Sequence, residues 1–228
     1  MVQKMPGKAT CAISMGDLVH STAHANPNEL HLLFNKIVNQ ANQRFAESIA
    51  SPLTITLGDE FQGLSTSLGR GFALNHFVRM SLLLEGVSTR LVLGIGAIDT
   101  AVNPKNAWNM MGEGLSKARD KLNAKKSFNC YRFSFPEHAQ LERLLDSVGK
   151  SMTKVETDWT KTQMEYVARK LSQPEKPISL IANEIGISKN TMYKVLRSAS
   201  SDFYEGQLKT INEVLQTEDK KRVTTCNT

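Results

Sequence analysis

Three carboxylates stand out in this 228-residue chain as residues placed to do chemistry. Asp17 follows a run in which Cys11, Ile13 and Met15 alternate with Ala12 and Ser14. Asp59 and Glu60 follow a run in which Leu53, Ile55 and Leu57 alternate with Thr54, Thr56 and Gly58. Period-two alternation predicts two half-buried strands, each bent at a Gly-Asp pair. Gly58-Asp59 reads as a hairpin turn, with residues 61–64 returning as a further strand. A helical crossover between the two strands would bring Asp17 and Asp59 side by side. Hard divalent cations such as Mg2+ or Mn2+ take one or two carboxylates and complete their shell with water and phosphate oxygens. The competing reading of each carboxylate is a solvated turn or cap residue.

The elements that must position these residues follow from periodicity. Asn26-Pro27, with Glu29 three residues after Asn26, is a helix start, and Leu30, Leu33, Phe34, Ile37, Val38, Ala41 and Phe45 give the helix one apolar face. Pro52 is expected to mark its end. Residues 67–85 read as a second covering helix, and residues 90–98 as a strand buried on both faces. Gly94 and Gly96 in that strand would allow close approach of another backbone or a ligand. The stretch Gly-Ile-Gly-Ala-Ile-Asp is no dinucleotide fingerprint, because no helix opens after it. A helix over residues 115–126 would expose Lys117, Arg119, Lys121, Lys125 and Lys126, as a solvated face or as a phosphate-contacting one. A strand over residues 128–133 and a helix over 137–148 complete the unit. Alternating strands and helices with one hairpin define an α/β (α+β) class with a mixed sheet covered by helices.

Residues 148–158 are expected to separate this first domain, residues 1–150, from a smaller all-α one over 159–216, with a disordered tail at 217–228. In the second unit a helix at 160–171 precedes two short ones, at 178–185 and 189–199, around Gly186. Short helix, Gly-containing turn and helix are the pattern of a helix-turn-helix. Ile-Ala-Asn-Glu-Ile-Gly-Ile-Ser-Lys-Asn-Thr-Met-Tyr-Lys-Val-Leu resembles the bacterial helix-turn-helix family. In that reading Ser188 caps the second helix, and Lys189, Asn190, Thr191, Tyr193, Lys194 and Arg197 face double-stranded DNA. Asn190 would read adenine, Thr191 a thymine methyl, and the cations phosphates. A helical hairpin used for protein contact or dimerisation is the alternative. Residues 202–216 form a trailing amphipathic helix.

Composition sets wide bounds. A net charge of +6 favours polyanionic partners mildly, and 40% hydrophobic content is ordinary for a globular protein. The three cysteines, far apart and without metal spacing, suggest reduced thiols in a cytoplasmic protein. No signal peptide or membrane-length apolar run is visible.

Gly-Asp-Leu-Val-His-Ser at 16–21, Thr-Leu-Gly-Asp-Glu-Phe-Gln-Gly at 56–63, Gly-Ile-Gly at 94–96 and the Lys-Ala-Arg of the following helix resemble the SatD family of bacterial proteins. Members often end in a helix-turn-helix and are often described as regulatory. More distantly, the two Gly-Asp turns resemble those of the palm fold of class III nucleotidyl cyclases and GGDEF cyclases. There an aspartate after the first strand and an acidic residue in the next hairpin hold two metals on a triphosphate. The resemblance implies a palm/ferredoxin-like sheet, with Asp17, Asp59 and Glu60 as metal ligands. It also implies Gly16, Leu18, Ser21, Gly58, Lys117 and Arg119 as contacts for a purine nucleotide. The cyclases' catalytic Asn and Arg have Ser116 and Asp120 in the comparable places, so binding is better supported than turnover. The expectation is a homodimeric DNA-binding transcriptional regulator whose cyclase-like domain senses a metal and nucleotide. The alternative is a Mg-dependent nucleotide cyclase or nucleotide-modifying enzyme.

Overall fold

A computed structural model describes residues 9–21, 25–124 and 127–226, with side chains up to Arg222. The first strand, β1 (Ala9–Leu18), leads through α1 (Pro27–Arg44) to the hairpin β2 (Ile49–Ile55) and β3 (Glu60–Ser65). Helix α2 (Leu68–Leu84) returns to β4 (Thr89–Ile98), and α3 (Glu113–Leu122) to β5 (Tyr131–Ser134). The strands lie in the order β2-β3-β1-β4-β5. The pairs β1/β3, β1/β4 and β2/β3 are antiparallel, whereas β4/β5 is parallel across the α3 crossover. The first four strands and two helices thus make the ferredoxin-like β-α-β-β-α-β unit, and the class is α+β with a mixed sheet.

Strand alternation divides the core in two. Ala12, Leu18, Phe61, Leu91 and Leu93 pack with α1 and α2 on one face. Ile13, Met15, Leu64, Val92 and Ile98 meet Leu115, Ala118 and Leu122 of α3 on the other. The second packing needs glycine twice over, because a Cβ on Gly96 would lie 2.4 Å from the Gly114 Cα. Gly96 therefore admits the backbone of α3 to the sheet, while a Cβ on Gly94 would meet the Ala118 side chain at 3.1 Å.

Pro52 does not end α1. The helix stops at Arg44, its cap Phe45 N–H donating to Ala41, and Pro52 sits inside β2. Proline lacks a ladder donor, and β2 tolerates it as an edge strand with register shifts on either side of Ser51.

The remaining chain is helical: α4 (Ala139–Thr157), α5 (Lys161–Ser172), α6 (Ile178–Glu184), α7 (Lys189–Ser198) and α8 (Ser201–Cys226). Helix α4 runs through most of residues 148–158. Trp159, Val167, Ile181, Met192, Tyr204, Ile211 and Leu215 are buried in the same core as α1 and α2. Helix α8 continues past Gln216, and the Asp219 carboxylate accepts from Leu68 N–H (2.8 Å) and Gly69 N–H (3.1 Å), satisfying the start of α2. No helix among the described residues is long and apolar enough to cross a membrane.

Candidate functional site

Asp17 and Glu60 face one another at the end of β1, whereas Asp59, expected beside Asp17, lies in the hairpin turn with its carboxylate on Ser21. Asp17 lies directly across from Glu60 on β3 and from Arg90 on β4, so all three point to the α3 face of the sheet. The hairpin turn is tied to β1 by Leu18 N–H donating to the Asp59 carbonyl at 2.9 Å. Ser21 Oγ donates to Asp59 Oδ2 at 2.6 Å.

Each carboxylate in this group already has a partner. Asp17 is buried, at 7% exposure, and grips Arg90 bidentately through Nε (2.9 Å) and Nη2. Burial pushes its carboxyl above the ordinary aspartate value, and Glu60 adds to this, while the bond and charge of Arg90 pull the other way. Glu60 accepts from Arg119 of α3 at 2.8 Å, and the same guanidinium donates to Gln62 Oε1 at 3.1 Å. Arg132 completes the cationic side by donating to the carbonyls of Lys121 and Leu122, where it caps the end of α3. No group of three His, Cys, Asp or Glu side chains suited to a metal ion occurs among the described residues. The donor types at β1 suit a hard cation, but a cation there would replace a guanidinium rather than fill an unpaired carboxylate cage.

The residues expected around a nucleotide divide. Arg119 joins the carboxylates, and Ser21 holds Asp59. Gly58 makes the turn with φ +81°, a conformation natural to glycine. Gly16 has a packing role, since a Cβ there would meet the Phe61 ring at 2.6 Å. Leu18 is buried in the core, and Lys117 pairs with Glu113 on the solvent side of α3. Lys121 is not part of a solvated face, because it bridges Glu142 and Asp146 of α4 at 2.6 Å each. Lys125 and Lys126 lie outside the described residues.

A second cluster sits on α7. Ser188 caps it, accepting from Thr191 N–H at 3.0 Å, and Gly186 makes the preceding turn with φ +70°. Met192 and Leu196 are buried, which turns Lys189, Asn190, Thr191, Tyr193, Lys194 and Arg197 to solvent. Lys189 lies over the Tyr193 ring, 5.5 Å from its centroid. The helix has no acidic residue.

A third cluster was not legible in the sequence. Glu156 of α4 is buried and ion-paired to Arg79 of α2, whose guanidinium also donates to the Thr89 carbonyl. The hydroxyls of Tyr131 (β5) and Tyr204 (α8) both donate to Glu156 Oε1 at 2.5 Å. Desolvation opposes the Arg79 charge, but Glu156 outweighs it and keeps the guanidinium protonated. Burial first, and Glu156 second, push both tyrosines well above the ordinary phenol value. His76 bonds the Tyr204 hydroxyl at 3.2 Å, and burial lowers its pKa to about 4, against the pull of Glu156. One charge network therefore joins α2, β5, α4 and α8. Its members run from His76 to Tyr204, far apart in the sequence, so no local pattern announces them.

The architecture and its strand-end cluster define a ferredoxin-like α+β protein with an attached helical array. The SatD family model matches residues 11–215, and the chain belongs to the SatD family. No curated protein matches it. Among solved structures, a bacterial light-regulated adenylyl cyclase is similar at 13% identity and TM-score 0.41, covering 58% of this chain and 45% of that one. The guanylyl cyclase domain of the RhoGC fusion protein from the aquatic fungus Blastocladiella emersonii is similar at 12% identity and TM-score 0.33, covering 51% of this chain and 76% of that one. The chain thus spans less than half the length of the bacterial cyclase.

Proposed function

We propose that this SatD family member is a DNA-binding transcriptional regulator in which α6 and α7 act as a helix-turn-helix. The observation that carries the reading is the exposed face of α7. Lys189, Asn190, Thr191, Tyr193, Lys194 and Arg197 share it without an acidic neighbour on the helix, while Met192 and Leu196 anchor the opposite side. A helix so held can enter a major groove with its N-terminal residues on base edges. Asn190 and Thr191 are the base-reading candidates, and Lys189, Lys194 and Arg197 the phosphate contacts. A homodimer would read two half-sites about one helical turn apart. Selection of binding sites from a random duplex pool tests this. The expected result is an enriched, two-fold-symmetric sequence that changes in Asn190→Ala; no enrichment would refute it.

A second reading, metal and purine-nucleotide binding at β1, draws on the convergence of Asp17 and Glu60 with Arg90 and Arg119, and on Asp59 in the adjoining turn. In that reading Mg2+ or Mn2+ would replace a guanidinium on Asp17 or Glu60, and Arg119 would turn to phosphate. Isothermal titration with Mg2+ and ATP or GTP tests it, with heat lost in Asp17→Asn as the expected outcome. Equal heat in that variant would exclude this site.

A further inference from the structure

On the face of the sheet opposite the carboxylate cluster, α1, α2, α5 and α8 enclose a cavity of about 990 Å³ that opens to solvent. Its lining mixes two chemistries. Phe45, Phe72, Phe77, Met80, Leu171 and Leu208 supply an apolar and largely aromatic surface. Arg44, Arg70 and Arg169 supply guanidinium groups, against two carboxylates, Glu47 and Glu165. Arg169 is held by Glu165 at 2.9 Å. Arg44 lies over the Phe77 ring, 5.1 Å from its centroid, and neither Arg44 nor Arg70 has a carboxylate partner among the described residues. Ligand sites typically combine this size, an apolar wall and a few placed polar groups.

We propose that this cavity binds a small organic anion with an apolar or aromatic body. The body lies against the aromatic wall, and the anionic group meets the exposed Arg44 and Arg70 at its rim, whose planar guanidinium groups suit carboxylate or phosphate oxygens.

The cavity is placed to control α7. Two of its walls, α5 and α8, are helices against which α7 packs, alongside α6. Gln163 of α5 donates to Ser198 of α7 at 3.0 Å, and Lys170 bridges to Glu205 of α8 at 2.6 Å. The lining residue His76 reaches Tyr204 of α8 and through it the Glu156 network. A ligand gripping α1 and α2 on one side and α5 and α8 on the other favours one spacing of these walls over another. Where the spacing that the ligand favours also differs in its fit of α7 to the target, ligand and target change each other's affinity by the same factor. This regulatory step rests on the DNA-binding reading; the binding step does not.

The test titrates the full chain with 1-anilinonaphthalene-8-sulfonate, an aromatic sulfonate that fluoresces on desolvation. One molecule should bind per chain, at least about 5-fold more weakly in Arg44→Ala/Arg70→Ala, and binding should be lost in Ala73→Trp, which fills the cavity. Circular dichroism checks each variant, and Ser81→Phe on the same wall replaces Ala73→Trp if the latter fails to fold. Unchanged affinity in the arginine double variant and in the filled variant would overturn the proposal. Displacement by decanoate would identify an aliphatic acid as the natural class, and by AMP a nucleotide; displacement by neither counts against the site. Bound probe should also shift duplex DNA affinity at least about 3-fold. Probe binding with no DNA binding at all would remove the regulator reading and leave the cavity standing, whereas DNA binding indifferent to the probe would remove only the coupling.

Discussion

Glu156→Gln is the substitution that most directly probes how the sheet and the C-terminal helices are joined. Glutamine keeps an acceptor for Tyr131 and Tyr204 but leaves the Arg79 guanidinium, itself 3% exposed, without a counter-charge. Removing one partner of a buried ion pair costs about 3–5 kcal/mol, because the other charge stays desolvated. For a chain of this size each kcal/mol moves the melting temperature by roughly 2–4 °C, so a fall of roughly 6–20 °C is expected. Urea denaturation followed by Trp fluorescence and by far-UV circular dichroism measures the loss. Trp159 is buried and donates to the Ala199 carbonyl at 2.7 Å, so in a Trp108→Phe background, which removes the other, half-exposed tryptophan, fluorescence reports the helical region while dichroism reports the whole chain. The two transitions should coincide in the wild-type chain, as a shared core demands. The double variant Arg79→Met/Glu156→Leu should be less destabilised than Glu156→Gln, since it removes both charges. A loss below about 1 kcal/mol in Glu156→Gln, or a double variant worse than the single, would refute the argument.

Further predictions follow from the same geometry. His76 has a folded pKa of about 4 against an ordinary 6.5, so the unfolded chain binds the extra proton. Its contribution should be complete above about pH 6.5 and decline as pH falls toward 4, by at most roughly 3 kcal/mol; thermal melts of wild type and His76→Gln between pH 4 and 7 check the slope. Asp219→Ala removes the carboxylate at the start of α2 and should cost about 1 kcal/mol in urea denaturation. Gly96→Ala forces a Cβ against the Gly114 backbone and should cost about 1–3 kcal/mol or more, with α3 displaced, as measured by denaturation and hydrogen exchange of α3.

Much of the fold was legible because its signals are local. Alternation at residues 11–17 and 53–57 marked β1 and β2, and Asn26-Pro27 marked the start of α1. Two Gly-Asp ends and a crossover placed Asp17 beside the hairpin, but its neighbour across the strands is Glu60 rather than the expected Asp59, because the register carries Asp59 into the turn. Pro52 was misread because an edge strand with irregular register tolerates a residue that ends helices elsewhere. The partners of the carboxylates, Arg90 above all, escaped notice because cross-strand register is not written in either strand alone. Glycines 94 and 96 signalled close approach of a backbone or a ligand, and Gly96 meets the backbone of α3 while Gly94 faces its Ala118 side chain. Helix α8 passes Gln216 although residues 217–222 are strongly polar, because Asp219 docks on α2, a tertiary contact that composition does not reveal.

The measurement that bears most directly on the central claim is the salt dependence of duplex DNA binding, followed by fluorescence anisotropy of a labelled oligonucleotide. If Lys189, Lys194 and Arg197 contact phosphates, affinity falls as salt rises. Each alanine replacement then reduces the slope of log K against log salt by about 0.9 per bound chain, and the triple variant by about 2.7, with both values doubled when a homodimer occupies two half-sites. No binding by the wild-type chain at low salt, or an unaltered slope in the triple variant, would contradict the assignment of α7 as the recognition helix.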